Sequence, residues 1–299
     1  MSLRRYVIVL LAMVLAGAWT APQAQPLEVV ATTPSLGMLA RAVGGDQVRV
    51  RVLAPHDRDP HYLDARPSYM AAVRRADLLL EVGAGLEEGW LPAVLSGAAN
   101  PAVNEGRPGH FRAADALSLR RSVTMDGPNV GHVHAEGNPH FNIDPLRMAE
   151  LAGALAKRMG QLRTEKADYF LAQSEDAAQR LRRHARALAD RIPGEQQFVA
   201  YHEDLDYLEE WLPVRVLGYL EPVPGVPPTA RHLRGLVQDL EGSEGRVLHA
   251  RYQPSRGAEF LQRHLGWDIH TVSLEPPVDA DLKGYLELMS HWAAVFEGG

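Results

Sequence analysis

Three histidines stand in segments suited to aiming a side chain at a metal. They are His61 in Asp59-Pro60-His61-Tyr62, His140 in Asn138-Pro139-His140-Phe141, and His202 in Tyr201-His202-Glu203-Asp204. Imidazole is the commonest protein ligand for zinc, and its neutral form offers a lone pair near pH 7. Proline ahead of His61 and of His140 narrows the backbone freedom of both segments. A late acidic segment, Ser273-Leu274-Glu275-Pro276-Pro277, offers an oxygen donor to add to the three nitrogens. Three imidazoles and one carboxylate suit four-coordinate zinc better than manganese, which favours more oxygen. On their residue types alone, such dispersed histidines are equally readable as structural side chains. Ligands this far apart must be gathered by a fold, which implies a cleft between two halves.

The elements that would gather them alternate. Leu27 to Thr32, Val48 to Leu53 and Leu78 to Val82 read as strands, with helices over Pro34 to Val43 and Pro67 to Ala76. Pro145 to Ile192 is almost wholly helical in pattern, and Leu162 to Ile192 reads as one helix of roughly 45 Å at 1.5 Å per residue. The alternation resumes with strands over Gln197 to Ala200, Val214 to Leu217, Gly245 to Ala250 and Ile269 to Ser273. Helices are expected over Ala230 to Glu241, Gly257 to Leu265 and Leu282 to Phe296. Strand-helix alternation implies parallel sheets covered by helices. The expected fold class is therefore α/β: two lobes, each a parallel-sheet α/β sandwich, at 26–161 and 193–299, joined by one long rigid linker helix at 162–192.

Composition limits the function classes. Arg4 and Arg5 followed by an apolar run from Tyr6 to Trp19 describe a secretory signal peptide over 1–24, and the run is shorter than the roughly 20 residues that span a bilayer. With no cysteine, neither a disulfide, a thiolate metal site nor a lipid-modified cysteine is available. A formal net charge of -6 argues against a nucleic-acid partner. The glycines at 83, 85 and 89 lack the Lys-Ser/Thr of a phosphate loop, and no nucleophile elbow is present. His132 and His134, in a Gly-rich stretch, suit either a solvated loop or a low-affinity capture site. His56, His184, His232, His249, His264, His270 and His291 show no ligand-like spacing.

Taken in order, the motifs resemble those of the metal-binding solute-binding proteins of ABC transporters, the cluster A-I family. The matching segments are Val29 to Leu36, Asp59-Pro60-His61-Tyr62 with Arg66-Pro67-Ser68, Ala76 to Leu80 with Trp90, Asn138-Pro139-His140 with Asp144-Pro145, Tyr201-His202 with Tyr207, and Leu220 to Pro228. The resemblance covers the mature chain and departs from the usual pattern at Asn138, where the family has Asp, and at Glu275, where the fourth ligand of the family is commonly Asp. It implies a periplasmic, monomeric, non-enzymatic protein that carries Zn2+ to an ABC permease in the inner membrane, with a periplasmic metallochaperone as an optional further partner. It also implies His61, His140, His202 and Glu275 as metal ligands, with Asp279 as the alternative fourth. His at position 202, where manganese members often have Glu, points to the zinc branch. The alternatives are a manganese carrier of the same family or a secreted zinc-dependent hydrolase or lyase, in which a zinc-bound water would occupy an open position. Reference imidazole values place metal release between roughly pH 6.5 and 5.

Overall fold

A computed structural model describes residues 25–121, 135–222 and 225–298. The expected signal segment 1–24 and both His132 and His134 lie outside them. β1 (Leu27–Ala31) pairs in parallel with β2 (Val48–Val52) on one side and β3 (Leu78–Glu81) on the other, and β4 (His110–Arg112) adds beyond β3. The order is β2-β1-β3-β4. β3 is buried along its whole length, as a central parallel strand covered on both faces should be, whereas the Val-Arg alternation of edge strand β2 buries one face only. Helices α1 (Pro34–Gly44), α2 (Pro67–Val73) and α3 (Leu91–Ala98) cover this sheet.

The second lobe repeats the plan. β5 (Gln196–Ala200), β6 (Val214–Tyr219), β7 (Arg246–Ala250) and β8 (Asp268–Val272) form a parallel sheet in the order β6-β5-β7-β8. Between the sheets come α4 (Pro145–Leu162) and α5 (Ala167–Ala189); α6 (Ala230–Asp239), α7 (Arg256–Leu265) and α8 (Leu282–Glu297) complete the chain. The long helix is α5, with 23 residues, and it does not begin at Leu162. Helix α4 ends there, and the chain reverses through a 3-10 turn over Thr164–Lys166. Gly160 allows the reversal to pack tightly, because a Cβ there would meet the Cβ of Ala167 at 3.1 Å.

Packing explains why the lobes hold their relation. One apolar core runs from β1 and α1 through α4 and α5 to α8 and the second sheet, taking in Phe170, Leu181, Tyr285, Trp292 and Phe296. Separate clusters fill the outer faces, under α2 and α3 in the first lobe and under α6 and α7 in the second. A continuous, close-packed inner layer resists wide hinge opening, so adjustments at the cleft fall mainly to loops and side chains.

Candidate metal centre

The loops that leave the carboxyl ends of the strands face each other across the cleft, where ligands of open α/β sheets are expected. His61 sits in the loop after β2, His202 two residues after β5, Glu221 two after β6, Tyr252 two after β7 and Glu275 three after β8. His140 stands just ahead of α4. A cavity of about 480 Å³ lies here, lined by His61, His140 and His202 together with Asp59, Asp204 and Glu221.

The two Pro-His segments use one local device. Asp59 Oδ1 accepts from the backbone N–H of His61 at 3.0 Å, and Asn138 Oδ1 accepts from that of His140 at 2.9 Å. In each, a side-chain oxygen closes a turn onto the amide two residues later, with proline between. Trp90 Nε1 donates to Pro60 O at 2.9 Å and fastens the first turn to the core. Fully buried Asn138 fastens the second, with Nδ2 donating to Glu203 O at 2.8 Å and its carbonyl accepting from Tyr207 at 2.7 Å. That donation to a carbonyl of the other lobe requires the side-chain amide of Asn138, since a carboxylate has no N–H to give.

The three imidazoles converge. Ring centroids are 5.2 Å apart for His61–His140, 5.5 Å for His140–His202 and 6.2 Å for His61–His202. A ligand nitrogen about 2.0–2.1 Å from zinc puts its ring centroid roughly 3.2 Å from the ion, and tetrahedral spreading then sets centroids roughly 5.2 Å apart. Among the described residues no group of three donors is already closed to coordination geometry, and the His61–His202 pair, at 6.2 Å, is the one that stands widest of the tetrahedral spacing.

Two of the rings are held by carboxylates. His61 Nδ1 is 2.7 Å from Asp59 Oδ1, and His202 Nδ1 is 3.1 Å from Glu221 Oε2. Each contact engages Nδ1, the kind of carboxylate hold that orients metal-binding histidines and raises their basicity. Burial alone would lower the His202 pKa, but the Glu221 hydrogen bond and the charges of Asp204 and Glu203 outweigh it and raise the value to about 9. Glu221→Gln should therefore weaken metal binding by about 10–100-fold, the usual cost of removing such an outer partner. A chelator-competition titration at about pH 9.5, above the His202 value and so largely free of proton competition, checks this, and an unchanged affinity there would remove Glu221 from the site's support. The imidazole's partner Glu221 lies 19 residues along the chain and is brought near by β5–β6 pairing, a contact that no local sequence pattern announces.

Glu275 is buried but is not among the residues that line the cavity. Its Oε2 accepts from Ser35 N at 2.7 Å and from Ser35 Oγ at 2.5 Å, at the amino end of α1, while Asn142 Nδ2 stands 3.3 Å from Oε1. Burial raises its pKa to about 7 against the lowering effect of Ser35. Asp279, the alternative donor, acts at Arg41: its charge raises the pKa of a guanidinium that burial lowers. The same guanidinium donates to Val278 O and Ala280 O, on either side of Asp279.

Known proteins share this plan. The high-affinity zinc uptake system protein ZnuA of Yersinia pestis is 24% identical over 279 residues, covering 83% of this chain and 82% of its own. The manganese-binding lipoprotein MntA of Halalkalibacterium halodurans is 25% identical over 212 residues, covering 69% of this chain and 57% of its own. The structure of FpvC from Pseudomonas aeruginosa in complex with Mn2+ superposes with a TM-score of 0.75 at 20% identity, over 90% of this chain and 96% of that one. Residues 29–299 match the family described as zinc-uptake complex component A, periplasmic. With a match of that extent, the chain belongs to this family of metal-binding substrate-binding proteins of zinc and manganese ABC transporters, and it is a binding protein and not an enzyme.

Proposed function

We propose that the chain captures Zn(II) between its lobes in the periplasm, after removal of a signal segment over 1–24, and delivers it as a monomer to an inner-membrane ABC permease for import. The supporting observation is the triangle of three imidazoles from both lobes, two of them oriented by carboxylates. In this reading Glu275 is the oxygen ligand. Ser35 holds Oε2, and Oε1, whose contact among the described residues is the longer one to Asn142, would be the oxygen that meets the ion. Loading by a periplasmic metallochaperone is compatible with the same reading.

Manganese is the second reading, favoured by the manganese-binding relative and by the carboxylates that line the cavity. Calorimetric titration of metal-stripped protein separates the two. The expected result is one Zn(II) per chain, bound at least about tenfold more tightly than Mn(II), as a nitrogen-rich donor set favours. A preference for Mn(II) would replace the zinc assignment, and binding of neither ion would overturn the capture reading itself.

A further inference from the structure

We propose that Asp204 is a second oxygen donor to the captured metal, and the residue that sets how well the site accepts manganese. The inference rests on the metal-capture reading above and adds to it a residue outside the expected ligand set.

Asp204 lies two residues after His202, in the 3-10 segment Glu203–Glu210. It lines the same cavity as the three imidazoles, and it is 2% exposed. One oxygen is committed: Gln253 Nε2 donates to Oδ2 at 2.6 Å and fixes the plane of the carboxylate. The other, Oδ1, is buried without a hydrogen-bond partner among the described residues. A buried carboxylate oxygen left unpaired is costly, and a cation satisfies it at no loss to Gln253. The neighbouring acids are differently placed. Asp59 and Glu221 are engaged by the imidazoles of His61 and His202, and Asp64 is exposed. Asp204 is thus the buried carboxylate of the cavity wall with an uncommitted oxygen beside the imidazoles.

The consequence lies in the donor count. Three imidazoles with Glu275 make a four-donor, nitrogen-rich set; Asp204 turns it into five donors with two oxygens. Zinc is satisfied by four and tolerates five, whereas manganese prefers the larger, oxygen-richer set. Asp204 should therefore matter little for zinc and much for manganese.

The test is Asp204→Asn, which keeps the volume and an oxygen to accept from Gln253. Competitive titrations with Zn(II) and Mn(II) are paired with the visible absorption of the Co(II)-loaded protein, which is weak for five-coordinate and intense for four-coordinate cobalt. The variant should lose about thirtyfold in Mn(II) affinity and less than about fivefold in Zn(II) affinity, in keeping with the ions' oxygen preferences. Its Co(II) bands should intensify. Equal losses for both ions with an unchanged Co(II) spectrum would show an influence through space and overturn direct ligation, as would no change at all. Should the variant not fold, the wild-type spectrum decides: intense four-coordinate bands overturn the proposal and weak five-coordinate bands support it. A wild-type chain that binds no metal is a separate result, which sinks the capture reading instead.

Discussion

Replacing His140 by alanine should lower zinc affinity several hundredfold while leaving the fold in place. Binding free energies of about 10–16 kcal/mol for four-ligand zinc sites divide to roughly 2.5–4 kcal/mol per ligand, and each 1.4 kcal/mol is a factor of ten. Loss of the imidazole also opens a coordination position to water, which no neighbour in the Asn138-Pro139-His140 turn replaces. The turn itself should survive, because it is closed by Asn138 Oδ1 on the backbone N–H of residue 140 and not by the imidazole. The measurement is zinc affinity by competition with a chromophoric chelator, with circular dichroism as the control for folding. An alanine variant that still bound one zinc with wild-type affinity would remove His140 from the ligand set and leave the triangle of rings without a function.

What was legible in the chain follows from the physics of each element. β1, β2 and β3 carry runs of Val and Leu or a clean alternation, and the expected strands overlap the observed ones over nearly all their residues. β4 was invisible because three residues, His110–Arg112, are too short to show a period. Helix α3 was missed as well, its Leu91–Ala98 following Trp90 with no side-chain cap to mark a start. The break at Arg163 between α4 and α5 hid inside an unbroken helical composition; Thr164 followed by Glu165 was the available start signal, and neighbouring Leu and Ala outweighed it.

The site divides along the same line. His61 and His140 stand out in the chain because a proline precedes each, and the structure closes both segments with an Asx turn onto the histidine's backbone N–H. Glu221 as the partner of His202 was not readable, because strand pairing of β5 with β6 and not chain proximity brings them together. The hold of Ser35 on Glu275, 240 positions apart, is likewise a product of the inner layer of helices packing both lobes on one core. Long-range partners of this kind leave no local pattern for a sequence to display.

Metal uptake should release protons well above the pH at which ordinary histidines titrate. The His202 value of about 9 is a balance: burial lowers it, and the Glu221 hydrogen bond with the Asp204 and Glu203 charges more than compensates. Because the folded-state value is raised, the proton on His202 stabilises the metal-free fold fully below about 6.5, the unfolded reference, and that contribution is lost as pH rises through about 9. With Nδ1 bonded to Glu221, a metal held by His202 would compete with the proton for the same Nε2. Between pH 9 and 7 apparent affinity should therefore fall about tenfold for each unit of acidification, with close to one proton released from His202 per ion bound at pH 7. Asp204 and Glu275, both raised to about 7 chiefly by burial, steepen the dependence below pH 8 if they ligate the ion. The expected onset is thus higher than the window of pH 6.5 to 5 given by reference imidazoles. Calorimetry in buffers of different ionisation enthalpy counts the protons directly. Affinity that stayed flat from pH 9 to 7, with no proton released, would show that His202 does not meet the metal through Nε2. Glu221→Gln supplies the internal control, since without its hydrogen bond and charge the onset should move down toward the ordinary histidine range.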